Sequence, residues 1–207
     1  MNSKIQIGKL WLFIMKNNHF QKLSRQLNTP DKVQEYLHAF EYNKADTMYS
    51  ATSAWKKQSA HCLEGVFVAA AILEHSGYEP YVLSLESQDQ LDHCIFIYQE
   101  NGLWGSIGKS RDLGLCGRVP RYRNLKNLVW SYFDAYVDKT GKVTAWQTAH
   151  LDEIECDWRF SSKDVWNLEN HLLEIKHHKL ISSPERYKRN LKRWHTTGDL
   201  PAHKHWR

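Results

Sequence analysis

The sequence has 207 residues, a length that suits one domain with a small extension. Its hydrophobic fraction of 42%, with 9 Trp and 10 Tyr, suffices for a sizeable core and excludes a disordered chain. The formal net charge is +5 and resides in residues 183–207, so attraction to nucleic acid or acidic partners would be local to that segment.

The cysteine pattern and the hydropathy indicate the compartment. The four cysteines, at positions 62, 94, 116 and 156, show neither Cys-x-x-Cys spacing nor the density of a disulfide framework. No stretch reaches the ~20 apolar residues of a membrane helix, and the apolar run 10–15 is too short for a signal-peptide core. We therefore expect a reduced, cytoplasmic protein that makes no membrane contact.

The N-terminal part predicts helices that pack on the domain. Residues 10–15 favour a short helix or strand. At 28–31, an asparagine, a threonine, a proline and an aspartate mark the start of a helix that runs to about Phe40. Its apolar residues recur at i, i+3, i+4 and i+7, which predicts a core-packing helix rather than a substrate wall. Residues 45–59 are small and polar and predict a loop.

The central feature of the sequence is the stretch 61–76. Its apolar, alanine-rich run predicts a helix that is buried on most of its circumference, and Gly77 is a natural stop. Cys62 falls in the first turn of this helix, where backbone N–H groups and the helix dipole favour a thiolate. We therefore expect Cys62 to be reactive and the other three cysteines to be buried, inert thiols.

A reactive cysteine needs a base, and His93 is the best candidate. It opens a predicted strand of mostly β-branched and aromatic residues, and Asn101-Gly102 then predicts a type I′ hairpin turn. His61 is an alternative base, although a sequence neighbour seldom reaches the sulfur.

The hairpin turn also fixes a register. A two-residue loop pairs Glu100 with Leu103, and counting back along both strands places His93 opposite Ser110. Asp112 is the next best placed polar residue, whereas Asp92 would point to the opposite face of the strand. Ser110 is therefore the predicted hydrogen-bond acceptor that orients His93.

The order of a cysteine on a helix, a crossover strand at 81–85 and a histidine opening a hairpin resembles the transglutaminase-like branch of the papain-type cysteine enzymes. The resemblance covers about residues 55–112. It implies an α+β fold with a central helix packed on an antiparallel sheet, and it implies catalytic roles for Cys62 and His93. The family's usual aspartate has no clear counterpart here, which leaves Ser110 in its place. Related enzymes often use a tryptophan or glutamine at the oxyanion site, where Trp55 or Gln58 could stand.

The second half predicts further helices and no metal site. Residues 109–120 are expected to cover the Cys/His cleft, with Arg111 and Arg118 either holding a substrate carboxylate or solvated. Residues 124–137 form an amphipathic pattern, 142–146 predict an edge strand, and a helix follows the cap at 161–164. The histidines at 171, 177 and 178 lack the spacing of a helical chelate, so we expect neither a metal nor a cofactor.

The expected organisation is one transglutaminase-like domain over residues 1–182, with a core at about 29–150 and a helical extension at 151–182. Residues 183–207 form a basic, aromatic C-terminal tail. Aromatic residues among cations can grip nucleic acid, although such a segment is more often a helix that docks through its aromatic residues.

Two functions fit these patterns. The first is a cysteine-nucleophile hydrolase or acyltransferase that acts on an amide or peptide carbonyl, with Cys62, His93 and Ser110 as catalytic residues. The second is a catalytically silent protein on the same scaffold that engages a protein or nucleic-acid partner through its cleft or through 184–207.

Overall fold

A computed structural model describes residues 19–200 and shows an α+β fold built on a six-stranded antiparallel sheet. Residues 19–24 are helical. The labelled helices are α1 (Pro30–His38), α2 (Ala51–Lys57), α3 (Cys62–Leu73), α4 (Leu125–Tyr136), α5 (Asn167–Glu174) and α6 (Pro184–Thr197). The strands are β1 (Glu41–Tyr42), β2 (Ser59–Ala60), β3 (Tyr81–Ser87), β4 (His93–Glu100), β5 (Leu103–Ile107), β6 (Arg118–Tyr122), β7 (Val143–His150) and β8 (His178–Lys179).

The large sheet has the order β6-β5-β4-β3-β7-β8, and every neighbouring pair in it is antiparallel. β1 and β2 form a separate parallel pair just before α3. The element predicted at 10–15 and the last seven residues of the predicted tail lie outside the described residues. Within residues 19–200, no helix has both the length and the apolar composition to cross a bilayer.

The β4–β5 hairpin has the predicted register. Asn101 and Gly102 both have positive φ, 51° and 75°, as a type I′ turn requires. Glu100 pairs with Leu103, and the pairing continues back to Phe96 opposite Ile107. There β5 ends, so the ladder stops before it reaches His93.

α3 is the buried helix that the sequence predicts. Every residue of α3 after Cys62 is buried, because the helix is covered on all sides by the sheet and by α1 and α2. The helix passes into a 3-10 turn at Glu74–Ser76, and Gly77 ends it with a φ of 85°. One face of the sheet, with Phe96 and Tyr98 at its centre, packs against α3 in the larger core.

α4 and α6 cover the opposite face of the sheet. Tyr132 and Phe133 of α4 pack on this face in the second core. α6 is docked on α4, because the side chains of Arg186 and Asn190 both donate to Asp134 Oδ1 at 2.7 Å. Arg193 adds a hydrogen bond to the Asp134 carbonyl. The C-terminal segment thus uses two of its cations to hold itself on the domain.

Three predicted elements differ from the structure. Residues 45–59 contain the helix α2, which Ser50 caps by accepting a hydrogen bond from the Ser53 N–H. β7 is not an edge strand, since it lies between β3 and the two-residue β8. α5 begins only at Asn167, since residues 161–165 are bends and irregular chain that bury Val165 in the core.

Gly65 in α3 is required by a close contact. A Cβ at this position would lie 2.7 Å from the Cβ of Lys109. Lys109 cannot retreat easily, since it is buried and its ammonium group donates to the carbonyls of Leu37 and Phe40. The loop after β5 therefore lies directly on the second turn of α3.

We expect Gly65→Ala to destabilise the protein. Helix propensity alone would stabilise an alanine by about 1 kcal/mol, but overpacking against Lys109 costs about 1–3 kcal/mol. The expected net loss in the free energy of unfolding is up to about 2 kcal/mol, measured by urea denaturation. A gain in stability would show that the loop does not press on the helix.

Candidate active site

The N-terminus of α3 is fixed by a capping box. His61 is the N-cap, and its Nδ1 accepts a hydrogen bond from the Leu63 N–H at 3.2 Å. In return, Glu64 accepts a hydrogen bond from the His61 N–H at 2.9 Å. The two contacts satisfy helix-end donors and set the direction in which Cys62 leaves the first turn.

Glu64 is a buried carboxylate that ties this helix end to the preceding loop. Its side chain is 0% exposed. Besides His61, it accepts hydrogen bonds from Asn43 Nδ2 at 2.9 Å, Thr47 Oγ1 at 3.0 Å and the Tyr49 N–H at 2.7 Å. A buried charge persists only when such donors replace its hydration shell, so Glu64 organises residues 43–49 around the start of α3.

Cys62 projects from this helix end onto the start of β4. Its Sγ lies 3.9 Å from the carbonyl oxygen of Asp92, and the residue is partly exposed. A hydrogen bond with Cys94 is the largest influence on the Cys62 thiol and lowers its pKa. Burial opposes this effect, but hydrogen bonds with His61 and His93 add to it, so the pKa lies well below its ordinary value.

Cys94 has the opposite character, although it is buried as predicted. Hydrogen bonding to Cys62 and burial raise the pKa of the Cys94 thiol well above its ordinary value. Cys94 therefore stays protonated and can donate its S–H to the neighbouring thiolate. The sequence prediction that Cys94 takes no part in the chemistry of Cys62 missed this contact. The alternation of the strand could have indicated it, because Cys94 shares the α3 face with Phe96 and Tyr98.

His93 is held by a backbone carbonyl. Its Nε2 lies 2.8 Å from the carbonyl oxygen of Leu115. A carbonyl oxygen can only accept, so Nε2 carries the proton in this contact and Nδ1 is left as the basic nitrogen. The ring is buried beside Tyr132, at a centroid distance of 6.2 Å.

Ser110 does not occupy its predicted place. Because β5 ends at Ile107, Ser110 lies beyond the paired strands, and its Oγ accepts a hydrogen bond from the Asp112 N–H at 3.1 Å. The structure assigns the orienting contact on His93 to the Leu115 carbonyl instead. Ser110 still lines a cavity of about 140 Å³ beside His93, together with Asp112.

Buried polar side chains hold the turn that carries this carbonyl. Arg118 donates to the Gly114 carbonyl at 2.7 Å and to the Cys116 carbonyl at 2.6 Å. Gln34, from α1, accepts a hydrogen bond from the Gly117 N–H at 3.0 Å. The sequence predicted that Arg118 either holds a substrate carboxylate or is solvated. The structure shows neither, because the side chain is buried and holds this turn in place.

His61, the alternative base, has both ring nitrogens engaged. Nδ1 caps the helix, and Nε2 lies 2.9 Å from the Thr47 carbonyl oxygen. Burial lowers the pKa of His61, but hydrogen bonding to Cys62 and the charges of Cys62 and Glu64 outweigh it and raise the pKa to about 9. The cap needs an unprotonated Nδ1, whereas the raised pKa favours a proton there, so the two requirements compete. His61 is therefore less suited than His93 to accept and return the thiol proton.

Two grooves meet at Cys62. The larger groove, of about 620 Å³, runs between residues 86–92 and α5 and has Cys62 and Cys94 in its lining. The smaller groove, of about 390 Å³, is formed by residues 42–48, with Arg111 and Trp166. Cys62 and Glu169 line both grooves, so an extended molecule could pass across the sulfur. Sequence reasoning missed Glu169, since nothing near it in the sequence links α5 to Cys62.

The residues suggested for an oxyanion site are engaged elsewhere. Trp55 Nε1 donates to the hydroxyl of Tyr36 at 3.1 Å, and Gln58 Nε2 donates to the Trp55 carbonyl at 2.6 Å. Because the Leu63 N–H is used by the cap, the N–H of Cys62 itself, beside the sulfur, remains the natural donor for an oxyanion.

We expect Glu64→Gln to destabilise the protein by about 2–3 kcal/mol, because an amide cannot accept all the hydrogen bonds that the buried carboxylate accepts. The measurement is the free energy of unfolding in urea. Glu155→Gln, at an exposed position, is the control and should stay within about 0.5 kcal/mol of wild type. Equal losses in the two variants would mean that Glu64 does not anchor the loop.

The rate of Cys62 alkylation should show a pH midpoint well below the value of about 8.5 for an unperturbed thiol. The thiolate dominates above the pKa of the folded state and is lost as the pH falls through it. Removing the S–H donor with Cys94→Ala should raise the midpoint, whereas Cys94→Ser keeps a donor and should raise it less. A midpoint that is the same in all three proteins would contradict the role of Cys94.

Comparisons with known proteins give little more. No family model matches the sequence, and no curated protein matches it. One matching solved structure is described as "a Putative Cysteine Protease from Cytophaga hutchinsonii", with a TM-score of 0.38 and 15% sequence identity. The match covers 66% of this chain and 52% of that one, so this chain spans about half the length of its structural neighbour. These values are too low to transfer a fold or an activity.

Proposed function

We propose that the protein is a cysteine-nucleophile hydrolase or acyltransferase of the transglutaminase-like (papain-type) kind, acting on an amide or peptide carbonyl. The observation that carries the proposal is the thiol of Cys62. It lies partly exposed at the N-terminus of a buried helix, directly against the start of β4, and interactions with Cys94, His61 and His93 lower its pKa. This combination is typical of an activated cysteine nucleophile.

In the proposed first half-reaction, His93 takes the thiol proton at Nδ1 and the Cys62 thiolate attacks the carbonyl carbon. The new C–S bond pushes the π electrons onto oxygen, where the Cys62 N–H and the positive end of the α3 dipole stabilise the negative charge. The oxyanion then collapses and the C–N bond breaks. His93 returns its proton to the departing amine, which leaves a thioester on Cys62.

In the second half-reaction, water or an amine attacks the thioester carbon and gives its proton to His93. The C–S bond breaks and the Cys62 thiolate is restored. Water gives hydrolysis and an amine gives acyl transfer, and the same residues serve both outcomes.

Support for His93 as the base comes from its environment. The Leu115 carbonyl fixes the tautomer in which Nδ1 is basic, and it does so from a turn that Arg118 and Gln34 hold in place. A neutral acceptor stabilises imidazolium less than a carboxylate does. The lowered pKa of Cys62 compensates in part, since the thiolate needs less help from the base.

Cys62→Ala should abolish rapid labelling by iodoacetamide at pH 7 and the release of nitroaniline from peptide p-nitroanilides. His93→Gln should slow both, the second by about 10²-fold or more, since it removes the general acid. Cys156→Ala is the matched control, because Cys156, which we predicted to be buried, is in fact a partly exposed free thiol. Mass spectrometry identifies the labelled residue.

A Cys62 that reacts no faster in the folded protein than in the urea-unfolded chain would contradict the enzyme proposal. The silent binding protein would then be the better description. Of the seven cations in 183–207, Arg186 and Arg193 are engaged on Asp134, which leaves Lys188, Arg189 and Lys192 as exposed cations of α6 for a partner.

A further inference from the structure

The larger groove has an apolar rim that comes from two separate elements. Leu91, between β3 and β4, is 61% exposed, and Leu173, on α5, is 58% exposed. Single exposed leucines are common on protein surfaces. Here both line the same groove as Cys62, and the buried Leu63 and Leu172 extend the apolar lining inward.

The same groove is acidic. Three carboxylates, of Glu86, Asp92 and Glu169, line it against two imidazoles, of His61 and His177. His177 is bound to Glu86, and Asp92 accepts a hydrogen bond from the Ser87 N–H at 2.9 Å. Glu169 lines both grooves. Burial raises the pKa of its carboxyl; the charge of His61 opposes this effect, and those of Cys62, Asp46 and Asp92 add to it. The groove therefore favours a cation and repels an anion.

We propose that the larger groove is the acyl-donor subsite of the enzyme, and that it takes a peptide segment with a leucine-sized apolar side chain beside a cationic side chain. This inference rests on the proposed function for the position of the reacting carbonyl. The apolar side chain lies between Leu91 and Leu173, and the cation faces Glu169.

The dimensions and energetics of the groove suit such a segment. Its volume of about 620 Å³ lies within the range of about 300–1,000 Å³ that sites for small ligands commonly span. Burying a leucine side chain stabilises a complex by about 1.5–3 kcal/mol before ordering costs, which is enough to select it over glycine. A half-exposed carboxylate contributes less, so charge refines the selection that the apolar contact makes.

Three blocked dipeptide chloromethyl ketones test the proposal: acetyl-Lys-Leu, acetyl-Lys-Gly and acetyl-Glu-Leu. The readout is the second-order rate constant for alkylation of Cys62. We expect the Lys-Leu reagent to react about tenfold faster than Lys-Gly. Its rate constant should be about threefold larger than that of the Glu-Leu reagent, and this Lys/Glu ratio should fall at high salt.

Two pairs of variants assign each preference to its residue. Leu173→Ser should reduce the Leu/Gly ratio to about threefold or less. Leu113→Ser, at a leucine that is 52% exposed and outside the groove, should leave it unchanged. Glu169→Gln should remove the Lys/Glu preference, whereas Glu174→Gln, on the same helix but outside both grooves, should keep it. The two control variants, Leu113→Ser and Glu174→Gln, should react with iodoacetamide at the wild-type rate. For every variant, the rate with each peptide reagent is divided by the rate of the same variant with iodoacetamide, so that a change in the thiol itself cancels.

Equal rates for the Lys-Leu and Lys-Gly reagents, or equal ratios in Leu173→Ser and Leu113→Ser, would overturn the proposal while leaving the proposed nucleophile intact. Failure of the nucleophile itself would appear with iodoacetamide. In that case the subsite is tested on Cys62→Ser by NMR titration with acetyl-Lys-Leu-amide and acetyl-Lys-Gly-amide. Tighter binding of the leucine peptide, lost in Leu173→Ser, supports the subsite, and equal binding refutes it.

Discussion

The buried carboxylate of Glu64 is the interaction on which the site depends. Its oxygens receive donors from the cap of α3 and from residues 43–49, so a single charge joins the helix end to the wall of the smaller groove. The same charge lies two residues from Cys62 and would disfavour a thiolate if it stood alone. Its hydrogen bonds disperse the charge, and Cys94, His61 and His93 supply the opposing stabilisation at the sulfur.

The parts of the fold that follow from local chemistry were predictable. The apolar run after Cys62 fixed the buried helix, and Asn101-Gly102 fixed the hairpin and its register, because each depends on residues close in the sequence. α2 also left a local signal, since Ser50 is a capping residue and Ala51, Ala54 and Trp55 share one helical face. We nevertheless predicted a loop for this segment, because the residues around that face are polar.

The parts of the site that depend on distant contacts were not predictable. The predicted register pairs β4 with β5 correctly, but it does not indicate the residue at which the pairing ends. That point is set by Gln34, whose side chain replaces the ladder by bonding to both the N–H and the carbonyl of Gly108. Once the chain turns there, Ser110 leaves the sheet and Leu115 arrives beside His93. No periodicity connects α1 to that loop across 74 residues.

The backbone carbonyl that holds His93 has a consequence for how this site can change over generations. A catalytic carboxylate can be deleted by one codon change, but a main-chain oxygen is present whatever residue occupies position 115. Drift at that position therefore leaves the acceptor intact, and selection falls instead on the distant side chains that shape the turn, Gln34 and Arg118. A search that looks for a third catalytic side chain would overlook such a site.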